Sequence, residues 1–183
     1  ISVEIGDGET LGLVGESGCG QSTAGKAILK LIEPTAGEIR LNGERIDGLS
    51  RAAMRPYRRQ LQVVFQDPYS SLNPRLSVRE IIAEPLRNYD VASGAALAGR
   101  VRELAGKVGL REEALDRYPH EFSGGQRQRI GIARAIALNP DFLVCAAPVR
   151  TLDVSIQSQI LNLLSDLQEE RKIAYLFIAH KID

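Results

Sequence analysis

Apolar residues along this chain recur first at every second position and then every third or fourth, so strands and helices are laid out in turn. Ile1, Val3 and Ile5 alternate with Ser2 and Glu4, the pattern of a half-buried strand. Thr10 to Val14 is a short apolar strand that runs into Gly15, and Thr23 to Leu31 reads as a helix stopped by Glu33-Pro34. Asn42-Gly43 is a strong two-residue hairpin signal between Glu38–Leu41 and a short following segment. Ser50 to Gln60 is helical except for Pro56, which is expected to break or kink it, and Leu61 to Phe65 is another strand. Ser77-Val78-Arg79-Glu80 fits a capping box that opens a helix toward Leu86, and Leu97, Val101, Leu104 and Val108 give a second helix its apolar stripe. From Ser123 a Gly-Gly pair leads into a helix through Leu138, which Pro140 stops. Phe142 to Cys145 is apolar throughout, like a strand buried in a parallel sheet. Ile156, Ile160, Leu163, Leu164 and Leu167 then mark one face of a helix from Ser155 to Leu167, and Ile173 to Ile178 is a last buried strand.

The order predicts a single α/β domain over 1–183, with its core in about 1–75 and 139–183 and a helical subdomain over about 76–138. The alternation is already running at Ile1, and the chain stops at Asp183 just beyond an apolar run, so both edges read as cut and further elements are expected beyond them. Composition narrows the function classes. With 44% hydrophobic and 25% charged residues, 183 residues suffice for one good core. Lys+Arg and Asp+Glu balance at 23 each, so no overall basic field argues for nucleic acid or an anionic membrane surface. Local clusters such as Arg58-Arg59 read as solvated faces. No apolar run approaches the roughly 18 residues that span a bilayer, and no signal-peptide pattern opens the chain. Cys19 and Cys145 read as reduced small hydrophobes, and His120 and His180 lack metal-ligand spacing.

The candidate chemistry begins at Gly15-Glu16-Ser17-Gly18-Cys19-Gly20-Gln21-Ser22-Thr23. This matches the phosphate-binding pattern G-x-x-x-x-G-K-[ST] everywhere except at the Lys, which is Gln21 here. Glycines let backbone N–H groups curl around a phosphate, and the helix that follows points its positive end at the anion. Gln21 retains a donor but not the charge.

Four more motifs follow in register: Phe65-Gln66-Asp67-Pro68-Tyr69-Ser70-Ser71-Leu72-Asn73-Pro74, then Phe122-Ser123-Gly124-Gly125-Gln126-Arg127-Gln128-Arg129, Leu152-Asp153, and Ile178-Ala179-His180. Taken singly, Ser123-Gly124-Gly125 is also a helix cap and turn, His180 a strand-end histidine, and Gln66-Asp67-Pro68 a loop opening. Taken together, the series resembles the ATP-binding subunits of ABC transporters, over nearly the whole chain. The Gln66 segment and Leu152-Asp153-Val154-Ser155-Ile156-Gln157 look most like the dipeptide and oligopeptide importers.

The resemblance implies the P-loop NTPase core of ABC type, with ATP and Mg²⁺ as cofactors. It places Gly15, Ser17, Gly18, Cys19, Gly20, Gln21, Ser22 and Thr23 on the phosphates, with Ser22 and Gln66 at the metal. Gln66 would also touch the attacking water, His180 would contact the γ-phosphate, and Asp153 would be the D-loop acid. Ser123, Gly124, Gly125 and Gln126 would be the signature, which in the family closes over the nucleotide held by a partner's glycine loop. Implied partners are a second ATP-binding subunit in a head-to-tail dimer, the same or different, and transmembrane permease subunits that hold the chain on the inner face of the cell membrane. For Ser70 to Arg75, a contact with the membrane partner and a plain solvent loop both stand. The adenine-stacking aromatic of the family would lie before Ile1.

The departures from the family fall on its catalytic strip. After the apolar strand the family has Asp and then Glu, for the metal shell and the attacking water, whereas this chain has Ala146 and Ala147. Arg150 and Thr151 stand where small residues are usual, and Lys181 where an acid is usual. A charged hydrogen bond contributes roughly 1.5–3 kcal/mol, so Gln21 in place of Lys should weaken phosphate binding about ten- to a hundredfold. Phosphoryl transfer relies on positioning and charge stabilisation, so the chain's own glycine-loop site is expected not to hydrolyse ATP at a useful rate. Three functions fit: a degenerate subunit whose intact signature completes a competent partner's site; an inert mutated or decayed domain; and a soluble non-transporter ABC ATPase.

Overall fold

The structure is a computed structural model that describes residues 1–16, 18–65, 67–146 and 152–179. Four parallel strands form the central sheet in the order β1-β6-β5-β4: β1 (Thr10–Val14), β4 (Leu61–Val64), β5 (Phe142–Ala146) and β6 (Ala174–Ala179). A separate two-stranded hairpin, β2 (Arg40–Leu41) and β3 (Glu44–Arg45), turns at Asn42-Gly43, where both residues take positive φ. Six α-helices, α1 (Gln21–Ile28), α2 (Arg51–Arg58), α3 (Val78–Asn88), α4 (Gly94–Lys107), α5 (Gly124–Ile136) and α6 (Val154–Arg171), and two 3-10 turns, Glu112–Asp116 and Pro119–Glu121, complete the described fold.

The period-two rule assigns each side of the sheet. In β5 and β6, Leu143, Cys145 and Tyr175 face the core beneath α3, α4, α5 and α6, while Val144, Leu176 and Ile178 join Leu29, Ile46, Met54 and Leu61 on the opposite face. Burying one such aliphatic side chain contributes about 1.5–3 kcal/mol. Both faces are covered, which is why these strands read as continuous apolar runs. Tyr175 is buried with its hydroxyl donating to the Leu164 carbonyl at 2.6 Å, so its polar end is satisfied inside the core. On the other face α1 packs so close to β6 that a Cβ at Gly25 would lie 2.6 Å from Ile178 Cδ1.

The capping box at Ser77 and Glu80 and the stripe Leu97, Val101, Leu104 and Val108 are as the pattern requires. Four expectations are corrected. Residues 1–5 form no strand, and Ile1 and Val3 are exposed: alternation supplies a face, but no described strand pairs with this one. Helix α1 ends at Ile28 rather than Leu31, because Lys30 takes a left-handed φ of 55° and Arg58 caps the helix end, donating to the carbonyls of Leu29 and Lys30 at 3.0 and 3.1 Å. Arg58 is thereby half-buried and committed rather than part of a solvated face. Helix α2 runs through Pro56 and stops two residues later; the carbonyl deprived of its partner belongs to exposed Ala52, which water can solvate.

Candidate functional site

The carboxyl ends of the parallel strands β1, β4, β5 and β6 lie along one edge of the sheet, and the glycine loop leaves β1 there. β1 feeds the glycine loop, in which Gly18 and Gly20 have φ of 88° and 96°, values that an L side chain resists. Gly20 occupies the N-cap of α1, and no side chain caps that helix. The first N–H groups of α1 therefore face outward beside exposed Ser22 and Thr23, the geometry of an anion cradle. Phosphate fits this backbone, and Ser22 has the exposure a metal ligand needs.

The side chains tell a different story. Gln21 is 5% exposed, and its amide nitrogen donates to the carbonyls of Leu13 at 3.1 Å and Ala179 at 2.9 Å, at the ends of β1 and β6. Cys19 is exposed, not a core hydrophobe, and a Cβ on Gly15 would lie 2.6 Å from its sulfur. Cys145 is the buried cysteine, and burial pushes its thiol far above the ordinary range. Ala146 ends β5 opposite Ile178, placing a methyl group at the sheet edge. No group of three or more His, Cys, Asp or Glu able to hold a metal occurs among the described residues.

The second half of the site is built around α5. Ser123 caps the helix by accepting from Gln126 N at 3.3 Å, and Gln126 Oε1 accepts from Ser123 N at 3.1 Å, a reciprocal capping box. Gly124 and Gly125 are required by close approach: a Cβ on Gly124 would meet Leu152 Cδ2 at 3.2 Å and the Tyr69 hydroxyl at 3.3 Å, and one on Gly125 would meet Ile156 Cγ2 at 2.6 Å. Exposed Asp153 provides the N-cap of α6 without a side-chain hydrogen bond.

Three further side chains of α5 hold the loop that follows β4; Arg127 and Gln128 stand in the quoted motif but were given no role, and Arg134 lies beyond it. Arg127 lies 4.3 Å over the Tyr69 ring and donates through Nε to the Phe122 carbonyl at 3.1 Å. Buried Gln128 reaches the Phe65 carbonyl at 3.5 Å, and Arg134 donates to the Ser71 carbonyl at 3.0 Å. Desolvation lowers the Arg134 pKa, opposed by the charge of Glu84. Asp67 completes the turn, its carboxyl held below the usual range by the Tyr69 N–H, then the Ser70 hydroxyl, with the Arg127 charge contributing least. An Arg within the apolar run Ile130 to Ile136 was the available signal, since a guanidinium buried in a helix must have a partner. Of the other residues named from sequence, Ser17, Gln66, Ala147, Arg150, Thr151, His180 and Lys181 lie outside the described residues.

The family model for the ABC transporter matches residues 1–149. The chain belongs to the ABC transporter family. Its α/β fold is that of the P-loop NTPases of this family. A dimeric ATP-binding cassette, MJ0796, bound to ADP and Pi after hydrolysis, superposes with a TM-score of 0.87 at 31% identity, covering 98% of this chain and 78% of that one. CbiO1 from Clostridium perfringens, part of the ABC transporter complex cbiONQ, gives 0.89 at 29% identity, over 100% and 71% of the respective chains. In sequence the chain is 53% identical over 184 residues to the oligopeptide transport ATP-binding protein OppF of Bacillus subtilis, covering 100% of this chain and 60% of that protein. It is 57% identical over 180 residues to the glutathione import ATP-binding protein GsiA of Salmonella paratyphi A, covering 98% and 29%. The chain thus spans between about a third and three fifths of these relatives. Among the described residues, no helix is long and apolar enough to cross a membrane.

Proposed function

We propose that this chain is the ATP-binding part of a peptide-class importer, held by permease subunits on the inner face of the membrane, with its own hydrolytic site silent. The observation that carries the reading is the contrast across the sheet edge. Ser123 to Gln126 form an intact, capped signature pinned by close packing, whereas the glycine-loop side has Gln21 and Ala146 where a charged grip on phosphate and metal is needed. In a head-to-tail pair, Ser123 and the N–H groups of Gly124 and Gly125 would close over nucleotide held by a competent partner. The glycine loop of this chain would still cradle phosphate through backbone N–H groups and Ser22. Bound Mg²⁺ would neutralise phosphate charge there, but Ala146 offers it no carboxylate.

Steady-state hydrolysis of Mg-ATP by the intact protein, beside the triple variant Gln21→Lys, Ala146→Asp, Ala147→Glu, tests the silent site. The native protein should be inactive and the triple variant active. Hydrolysis by the native protein alone would end the reading, because another residue must then supply the missing carboxylates' work. An inert domain is separated by adding a competent partner subunit and permease: the proposed subunit supports hydrolysis by that assembly, and an inert one does not.

A further inference from the structure

We propose that Gln21 is an internal staple of the glycine loop, with no donor left for phosphate. A primary amide has two N–H groups, and the Gln21 amide places them on two carbonyls from different strands, Leu13 at 3.1 Å and Ala179 at 2.9 Å. These carbonyls sit at the ends of β1 and β6, where Leu13 pairs with Ile178 and Val14 with Ala179 in the last rungs of the parallel ladder. The register carries the Ala179 N–H onto the Leu13 carbonyl, so the Ala179 carbonyl is the one left at the end of the ladder, and a half-buried carbonyl without a donor is unfavourable. From the first position of α1, Gln21 gives the Ala179 carbonyl a donor and the Leu13 carbonyl a second one, which also fixes where the helix begins relative to the sheet. Its 5% exposure and the 3.1 Å gap between its nitrogen and a Cβ placed on Gly15 show how closely the loop wraps the amide.

The chemistry of the replaced Lys explains the trade. An ammonium has three N–H groups and a charge, enough to hold both carbonyls and still donate to an anion. An amide has two, so Gln21 can hold the strand ends or reach a phosphate, not both. The staple keeps the loop in its curled form without ligand, and any phosphate that enters is held by backbone N–H groups and Ser22, with nothing from Gln21. This inference rests on the reading of the loop as a phosphate site.

The test uses the intact protein with Gln21→Met, which keeps the volume and removes both donors, and Gln21→Lys. Thermal unfolding is measured with and without millimolar Mg-ATP. Gln21→Met should lower Tm by about 3–8 °C while leaving the shift produced by ATP unchanged. Gln21→Lys should hold Tm and bind ATP about tenfold or more tightly than the native protein. An unchanged Tm in Gln21→Met, or a loss of its ATP-dependent shift, overturns the staple and makes Gln21 a ligand. If Gln21→Met is destabilised but neither variant nor the native protein responds to ATP, the staple stands and the phosphate-site reading falls. Should Gln21→Met fail to fold, the Gln21→Lys result decides: tighter binding at the cost of several degrees in Tm would mean that Lys abandoned the carbonyls, overturning the shared-donor account.

Discussion

The starts of α1, after the glycine loop, and of α5, at Ser123, are finished in opposite ways. Helix α1 begins at a left-handed glycine with no side-chain cap, and its first side chain turns back into the sheet. Helix α5 begins at Ser123 with a reciprocal cap, and its glycines press against Tyr69, Leu152 and Ile156. An uncapped start leaves its first N–H donors without a side-chain partner, and here the Gln21 amide on the strand ends fixes where it begins. A capped and wedged start holds its form before any ligand arrives, which suits a surface offered to a partner's site. The difference teaches that α1 starts open and is tied to the sheet by its first side chain, whereas α5 starts closed and is wedged by its neighbours.

The largest effect that could break this comparison is functional. In an importer assembled with a competent partner, Ser123→Arg in this chain should lower ATP hydrolysis by about a hundredfold or more, since it places bulk and charge where preorganised donors are needed. Gly18→Asp should change the same rate by less than about twofold if, as proposed, its loop serves a silent site. Equal losses from the two would show that both halves work. Stability provides the next test. Gly125→Val drives a branched side chain into Ile156 Cγ2, a stiff neighbour, and should cost about 2–3 kcal/mol in urea unfolding. Gly20→Ala meets open space and only strains φ, costing about 1 kcal/mol. A reversed order would move the rigid element to the glycine loop.

Much of this contrast was legible before any coordinates. The continuous apolar runs from Phe142 and from Ile173 and the glycine loop between strand and helix are local signals, and local signals carry element type and order well. The strand expected at Ile1 was not found, because a strand is completed by a neighbour that no local pattern reports. The same holds for side chains whose partners are distant in sequence. Arg58 reads as a surface charge until α1 supplies carbonyls 28 and 29 residues away. Gln21 reads as a weakened phosphate donor until Ala179, 158 residues on, takes one of its protons. Tyr69 over Arg127 could not be read from either motif alone, since each lies in a segment with its own sufficient explanation.

That aromatic contact gives a smaller test on the signature side. Tyr69→Leu keeps apolar bulk beside Gly124 but removes the ring face beneath Arg127, and should cost about 0.5–1 kcal/mol, the value for a largely exposed cation–π pair. A loss above about 2 kcal/mol would mean that the loop after β4 is held chiefly through this ring, and not shared with Gln128 and Arg134.

The smallest effect lies on the glycine-loop side and depends on pH. Asp47, after the hairpin, accepts from Arg45 and from the Ile39 N–H, and these bonds lower its pKa to about 2, the Arg45 bond contributing most. A carboxyl depressed on folding contributes stability that is fully present above its unfolded value and is lost as pH falls through the folded one. The contribution should therefore hold at neutral pH, begin to fade near the ordinary Asp value of about 3.9, and be gone below about 2. In Asp47→Asn the acid limb of a Tm-against-pH profile should flatten over that window. Its neutral-pH stability should fall slightly, because an amide oxygen still accepts from Ile39 but no longer carries charge for Arg45. Ser123→Ala, made at the signature helix, removes a neutral cap and should shift the profile uniformly without changing its acid limb. If the acid limb responds to Ser123 rather than Asp47, charge holds the signature half, and the division between the two helix starts is drawn in the wrong place.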